Sequence, residues 1–323
     1  MDKNARIFVA GHRGLVGSAL VRQLRKQGYE KLLLQTHDEL DLTNSEATHS
    51  FFKKNKPDYV FLAAAKVGGI LANKNYPADF IEQNLAIQQN VITAAYKNGV
   101  AKLLFLGSSC IYPRDCHQPI RESYLLTGAL EPTNRAYALA KIAGIELCWA
   151  LNRQHGTQYI SVMPTNLYGL GDNYHLENSH VLPALIRKMH EAKIKNNPEV
   201  VVWGTGTPLR EFLFSDDLAD ACIFLFQEPK ERLAHLFNEN EPPLINIGCG
   251  EDLSIKDLSI LIAKIIGFSG DLKFDVRKPD GTPRKLLDVS KMENLGWRYQ
   301  TPLSQGIKIA YQDFMEKLSK EIV

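Results

Sequence analysis

A chain of 323 residues with 45% hydrophobic and 23% charged side chains has the composition of a soluble globular protein, and it is long enough for one large domain or two ordinary ones. The formal charge of +2, with no dense Lys/Arg tract, indicates neither nucleic acid nor an anionic membrane as a partner, and any bound anion must be met locally. The five cysteines (Cys110, Cys116, Cys148, Cys222 and Cys249) are odd in number and lack C-x-x-C spacing, which indicates neither a disulfide framework nor a metal site. Met1-Asp2-Lys3-Asn4 runs straight into an apolar strand without a signal-peptide layout, and no apolar run is long enough to span a bilayer. The expected location is the reducing cytoplasm.

In chain order, Arg6 to Ala10 reads as a buried parallel strand that enters Gly11-His12-Arg13-Gly14-Leu15-Val16-Gly17 and then an amphipathic helix through Leu24. Glycines in strand-turn-helix context let the backbone approach a pyrophosphate while the helix N-terminus offers its free N–H groups. The spacing is G-x-x-G-x-x-G, not the G-x-G-x-x-G of the dehydrogenase fingerprint. Lys31 to Thr36 predicts a second strand. An NAD enzyme would place a ribose-binding carboxylate just beyond it, where this chain has His37. With Arg13 in the turn to meet a 2′-phosphate, NADP is favoured, although neighbouring Asp38 argues the other way.

Asp58 to Ala65 predicts a third strand ending in small residues. Residues 77 to 98 form a long helix, Ala101 to Leu106 a fourth strand, Thr133 to Gln154 a helix and Tyr159 to Met163 a strand. This alternation predicts a doubly wound parallel sheet of Rossmann type, with residues 1–165 as the dinucleotide-binding domain. From Asn166 the alternation fails, and the remainder of 166–323 is expected to form a smaller mixed α/β substrate domain. Ser215 to Phe226 reads as a helix begun by a capping Ser-Asp-Asp cluster and Leu244 to Ile247 as a strand. Ser254 to Ile266 and Leu303 to Leu318 are amphipathic helices without nameable chemistry.

The chemistry gathers after the fourth strand. Tyr137 and Lys141 are four apart on a helix and face one way. The cation is expected to lower the phenol from its ordinary ~10 toward neutrality, making Tyr137 a proton donor and acceptor. Ser108, at the strand end, can polarise the same carbonyl oxygen. The trio suits hydride transfer to a ketone. Tyr-x-x-x-Lys alone is short enough to occur by chance on exposed helices, and its context gives it weight.

These residues resemble the extended short-chain dehydrogenase/reductase family. Within it the match narrows through Ala64-Ala65-Lys66-Val67-Gly68-Gly69-Ile70, Gly107-Ser108-Ser109-Cys110-Ile111-Tyr112-Pro113, Met163-Pro164-Thr165-Asn166-Leu167-Tyr168-Gly169, Asn178-Ser179-His180-Val181 and Lys278-Pro279-Asp280-Gly281-Thr282-Pro283-Arg284-Lys285. The resemblance covers Gly11 to about Leu287. It implies an NADPH-dependent enzyme that epimerises a GDP-linked 4-keto-6-deoxy-mannose at C3 and C5 and reduces it at C4. The implied catalytic residues are Ser108, Tyr137 and Lys141, with Cys110 and His180 as the proton-transfer pair. A free thiol near ~8.5 and imidazole near ~6.5 suit that work, and Cys110 reaches the cavity of Ser108 if the segment stays extended. The plain alternatives are a core cysteine and a capping or surface histidine.

For the cofactor the resemblance implies Gly11 to Gly17, His37, Asp41, Leu42, Ala64, Lys141, Pro164, Asn166, Leu167 and His180. For the sugar nucleotide it implies Asn166, Lys188, Trp203, Arg210, Asp280 and Lys285, with arginine often standing in the family where this chain has Lys188. Cations there would meet the diphosphate, and the Trp203 indole would pack on sugar or guanine. The resemblance also implies that segments near 212–250 return to the large sheet, and a homodimer joined through the helices at 77–98 and 133–154. A nucleotide-sugar dehydratase, a 4-epimerase and a non-catalytic NADP-binding regulator remain rivals. The dehydratase is disfavoured because Ser109-Cys110 stands where that enzyme would carry Asp-Glu.

Overall fold

The computed structural model describes residues 1–176, 179–278 and 280–320, and within these not the side chains of residues 70 and 71. Asn178, Pro279 and the Ile70 side chain, which belong to the motifs above, lie outside the described residues. In chain order the first half comprises β1 (Ile7–Ala10), α1 (Leu15–Lys26), β2 (Leu32–Leu33), α2 (Ser45–Asn55), β3 (Tyr59–Leu62), α3 (Ile70–Asn75), α4 (Pro77–Lys97), β4 (Lys102–Leu106), α5 (Arg135–His155) and β5 (Gln158–Pro164). The second half comprises β6 (Asn166–Tyr168), α6 (Val181–Ile194), β7 (Glu199–Trp203), β8 (Leu209–Phe214), α7 (Ser215–Gln227), β9 (Leu244–Ile247), β10 (Asp252–Ser254), α8 (Ile255–Ile266), β11 (Asp271–Asp275), β12 (Arg284–Lys285), α9 (Ser290–Leu295) and α10 (Leu303–Ser319).

Six strands form one all-parallel sheet in the order β2-β1-β3-β4-β5-β9. Both faces are covered, so the inner strands are mostly apolar rather than alternating, with Ser161 of β5 a buried exception. Leu20, Leu24, Leu218, Cys222 and Phe226, from α1 and α7, pack on one face. Phe52, Val91, Ile92, Ile145 and Cys148, from α2, α4 and α5, pack on the other. The chain reverses its winding between β1 and β3, and a doubly wound sheet opens a ligand crevice at the carboxyl ends of the strands flanking such a point.

A second sheet is built on β8, which pairs with β10, β12 and β6, and β7 pairs separately with β11. These strands and α6, α8 and α10 enclose a third apolar cluster that includes Leu185, Met189, Phe212, Leu258, Ile262 and Phe314.

Several sequence expectations are corrected. The second strand is only Leu32–Leu33, because the chain turns at Thr36, whose N–H and hydroxyl both donate to Glu39 Oε2 (2.8 and 3.0 Å). The third strand stops at Leu62. Ser215-Asp216-Asp217 opens α7 but caps nothing: the cap position is Phe214 and no side chain bonds it. Asp216 instead holds Arg22 of α1 at 2.7 Å, and Asp217 accepts the Thr301 N–H at 2.9 Å, so the acids fasten the helix to its neighbours. Helix α2 escaped the periodicity because only Thr48 and Phe52 of it are buried; Asn44 caps it by accepting the Ala47 N–H. No helix among the described residues is long and apolar enough to cross a membrane.

Candidate functional site

The glycine turn lies at the switch point and is packed backbone on backbone. Gly11 has φ +82°, and a Cβ there would sit 2.7 Å from Ala64 N. At Gly17 a Cβ would sit 2.6 Å from the Gly11 carbonyl carbon and 2.8 Å from His12 Cα. No side chain caps α1 at Gly14 and no acid lies in its first turn, so the N–H groups around Leu15, Val16 and Gly17 keep their positive potential. That cradle fits a dinucleotide pyrophosphate. Arg13 is exposed and has no ion pair among the described residues.

Near Arg13 stands Glu39, an acid overlooked in the sequence. The Thr36 N–H and then its hydroxyl hold the Glu39 carboxyl below its usual value, with smaller help from Arg13 and His12. Burial first, and then Arg13, lower the His12 imidazole. His37 is exposed, with Nδ1 3.9 Å from Asp41 Oδ1. The Thr43 hydroxyl and N–H keep the Asp41 carboxyl low. Leu42 is buried, its carbonyl accepting from Asn90 at 2.9 Å. Ala64 follows β3, Pro164 ends β5 and Leu167 lies in β6, all at the carboxyl ends of the central strands or just beyond them.

Ser108 leaves β4 extended (φ −159°, ψ 144°), but Ser109–Ile111 then closes a tight 3-10 turn, so the segment is not extended as supposed. The turn nevertheless brings Cys110 to the cluster. Its N–H donates to Ser108 Oγ at 3.4 Å, and its thiol acts electrostatically on both Tyr137 and Lys141. Lys141 is 3% exposed; its Nζ donates to the Leu106 carbonyl at 2.7 Å and lies 5.7 Å from the Tyr137 ring centroid. Burial lowers its ammonium to about 8.

The expected depression of Tyr137 is corrected. Burial drives the phenol above its ordinary value, Cys110 adds to this, and only the Ser108 hydroxyl opposes it. Desolvation here outweighs the cation, whose charge is engaged with the Leu106 carbonyl. Cys110, expected near its free value, is also pushed up by burial, against the pull of Lys285, Ser108 and Lys141.

Helix α5 is set in place from behind. Gln88 of α4 donates to the Ala140 carbonyl at 2.6 Å, and Gly144 leaves room for the Phe105 ring and Gln88. His180 is the residue before α6 and its side chain makes no cap bond. It keeps an open edge to solvent while crowded by protein atoms, and loss of water lowers its imidazole. Among the described residues no hydrogen bond or ion pair joins it to Cys110.

The cations of the second half converge through strand pairing. In the parallel register of β8 and β12, Lys285 stands beside Arg210. Arg210 Nη1 donates to the Leu209 carbonyl at 2.7 Å, and neither cation has an ion pair among the described residues. Burial lowers both, and the charge of Arg210 further lowers Lys285. Lys188 Nζ lies 5.0 Å and Lys278 Nζ 4.9 Å from the Trp203 ring, whose indole is 43% exposed. Asp280 accepts the Thr205 N–H at 3.0 Å and its hydroxyl at 2.8 Å, which clamps the loop after Trp203.

Asn166 donates to the Glu211 carbonyl at 2.8 Å. Glu211, unnoticed in the sequence, is fully buried and accepts the N–H groups of Gly250 (2.7 Å) and Leu287 (3.0 Å). Nothing in its local sequence marks it, because both partners are remote in the chain.

A switch-point crevice with a bare helix terminus, opening on a Ser-Tyr-Lys cluster, defines a Rossmann-type enzyme of the dehydrogenase and epimerase class. The chain belongs to the NAD dependent epimerase/dehydratase family, whose model matches residues 7–248. It is 58% identical to GDP-L-fucose synthase 1 of Arabidopsis thaliana, over 98% of this chain and 95% of that one. It is 56% identical to GDP-L-fucose synthase of Escherichia coli (strain K12), over 96% and 97% respectively. Its fold is similar to that of the NADP-bound GDP-mannoheptose C4 reductase MlghC of Campylobacter jejuni, with a TM-score of 0.88 and 42% identity over 98% of this chain and 99% of that one.

Proposed function

We propose that the chain converts GDP-4-keto-6-deoxy-D-mannose to GDP-L-fucose by epimerisation at C3 and C5 and reduction at C4. Relatives of that name above half identity support the substrate. The observation that carries the chemistry is the gathering of the Ser108 and Tyr137 hydroxyls, the Cys110 thiol and the Lys141 ammonium in one dry cluster.

A C4 ketone polarised by Ser108 and Tyr137 acidifies the hydrogens on C3 and C5. Cys110 takes a proton, the C–H electrons pass into an enolate held by the two hydroxyls, and His180 returns a proton to the opposite face. NADPH, when bound, supplies the hydride that reduces C4. Tyr137 donates the proton to the C4 oxygen, and Lys141 keeps positive charge beside it. Residues 1–165, with the returning segments near 212–250, form the part that holds the dinucleotide: Gly11 to Gly17 at the pyrophosphate, Arg13 and His37 at the 2′-phosphate. The remainder of 166–323 holds the GDP-sugar, with Arg210 and Lys188 at the diphosphate and Trp203 against sugar or base. The protein works in the cytoplasm as a homodimer joined through α4 and α5.

Incubation with the 4-keto sugar in deuterated water without NADPH tests this reading. Deuterium is expected at C3 and C5, and Cys110→Ser loses most of it. Reduction without any exchange would make the chain a simple C4 reductase, and retained exchange in a Cys110→Ser, His180→Gln double variant would overturn the proton-transfer pair.

A further inference from the structure

We propose that Lys285 is a positioning residue for Cys110, its ammonium set in the wall of the same cavity so that it favours the thiolate which proton removal requires. This rests on the epimerase reading and moves Lys285 from the diphosphate to the proton-transfer machinery.

The argument begins with how Lys285 is held. The residue after it, Leu286, donates to Gln118 Oε1 at 2.9 Å and accepts the Ile120 N–H at 2.7 Å; Leu287 donates to Glu211 Oε2 at 3.0 Å. On its other strand neighbour lies Arg210. Gln118 and Ile120 belong to the segment that continues from the Cys110 turn, so these bonds fasten β12 to the cysteine's own loop. A cavity of about 40 Å³ results, with Cys110, Gln118, Ile120, Glu131 and Lys285 in its wall.

In this cavity the Lys285 ammonium has no hydrogen bond or ion pair among the described residues. The acid on the same wall, Glu131, is engaged by Arg114 at 3.5 Å and by the Thr133 N–H and hydroxyl at 3.3 and 3.2 Å. A half-buried ammonium next to a second cation, Arg210, keeps its charge best with an anion close by. The groups facing it that can supply one are Cys110 foremost, then Cys116 and Glu131. From the side of the thiol, Lys285 is the strongest influence favouring ionisation, ahead of Ser108 and Lys141, and it opposes burial. Tyr137 and Lys141 of α5 are the other titratable groups at Cys110. Burial still outweighs that pull in the free protein, and a protonated thiol cannot remove a proton from C3 or C5, so Lys285 acts by enlarging the ionised fraction of Cys110.

The test needs neither substrate nor cofactor. The ultraviolet absorbance of the Cys110 thiolate is titrated against pH as the difference between each protein and its Cys110→Ser counterpart. Lys285→Met is expected to move the midpoint up by about one unit or more, leaving roughly tenfold less thiolate at a given pH below it. Lys285→Arg restores it; Lys285→Gln replaces the methionine variant if that one fails to fold. An unchanged midpoint with only a raised KM for the GDP-sugar would return Lys285 to the diphosphate. An arginine variant as impaired as methionine would show that shape, not charge, matters. Failure of the epimerase reading is separable, since wild type would then show no deuterium at C3 or C5 whatever the titration gives.

Discussion

The turn after β1 and the paired edge of β8 and β12 both gather positive potential, and they do it by opposite means. The first uses main-chain N–H groups at the start of α1, where glycines remove the obstructing side chains. The second uses two side-chain cations set side by side by strand register. Backbone donors belong to a few consecutive residues and tolerate no added atom. Side-chain donors come from remote segments and tolerate substitution in proportion to the charge and geometry retained.

The sharpest way to break the comparison is at Gly17. Valine there collides with the backbone of Gly11 and His12, neither of which can yield without dissolving the turn. NADPH binding, followed by cofactor fluorescence, is expected to vanish, and urea unfolding to show about 3 kcal/mol lost. Survival of binding would mean that the turn is not the cradle.

Between the two regions lies the hydroxyl cluster. Tyr137→Phe is expected to slow reduction by roughly 100- to 10,000-fold while leaving the NADPH fluorescence titration unchanged. In the wild type, burial lowers the Lys141 ammonium to about 8, below the ordinary lysine value. The ammonium is therefore present below that pH and lost as pH climbs through it. Reduction at saturating substrate should decline across the same interval, and a rate flat to pH ~10, the range of an unperturbed lysine, would contradict this.

Graded damage is expected on the side-chain edge. Arg210→Lys keeps charge and loses the planar fork, so KM for the GDP-sugar should rise about tenfold, equivalent to one charge-assisted hydrogen bond, with NADPH affinity unmoved. Smallest is Asp280→Asn, which weakens the clamp on Thr205. A few-fold rise in KM and a loss of about 1 kcal/mol in urea unfolding are expected, and a collapse in turnover would promote Asp280 to a direct contact.

This contrast also explains what could be read from sequence. The glycine turn, the strands at 7–10 and 244–247 and the four-residue interval from Tyr137 to Lys141 are local, and periodicity shows them. Arg210 and Lys285 were legible as cations through resemblance, but their adjacency arises from a strand pairing that no local pattern displays. Glu211 is invisible for the same reason, its partners at Gly250 and Leu287 being placed by tertiary structure. The direction of the Tyr137 shift is not legible in the sequence, because helical spacing places Lys141 on the right face without revealing how little water reaches either group. Helix α2 leaves no apolar period because it shows the interior so few side chains.

Strand β8 sorts opposite charges. Neighbouring residues of an extended chain project to opposite faces, so Arg210 is presented with Lys285 while the adjoining Glu211 is driven inward, where two main-chain N–H groups receive it. A slip of one residue would exchange the two, burying a guanidinium among amide donors and turning a carboxylate toward the neighbouring lysine. The interior acid thus works as a key that fits its lock in one alignment only, and the outward face inherits its sign from that fit.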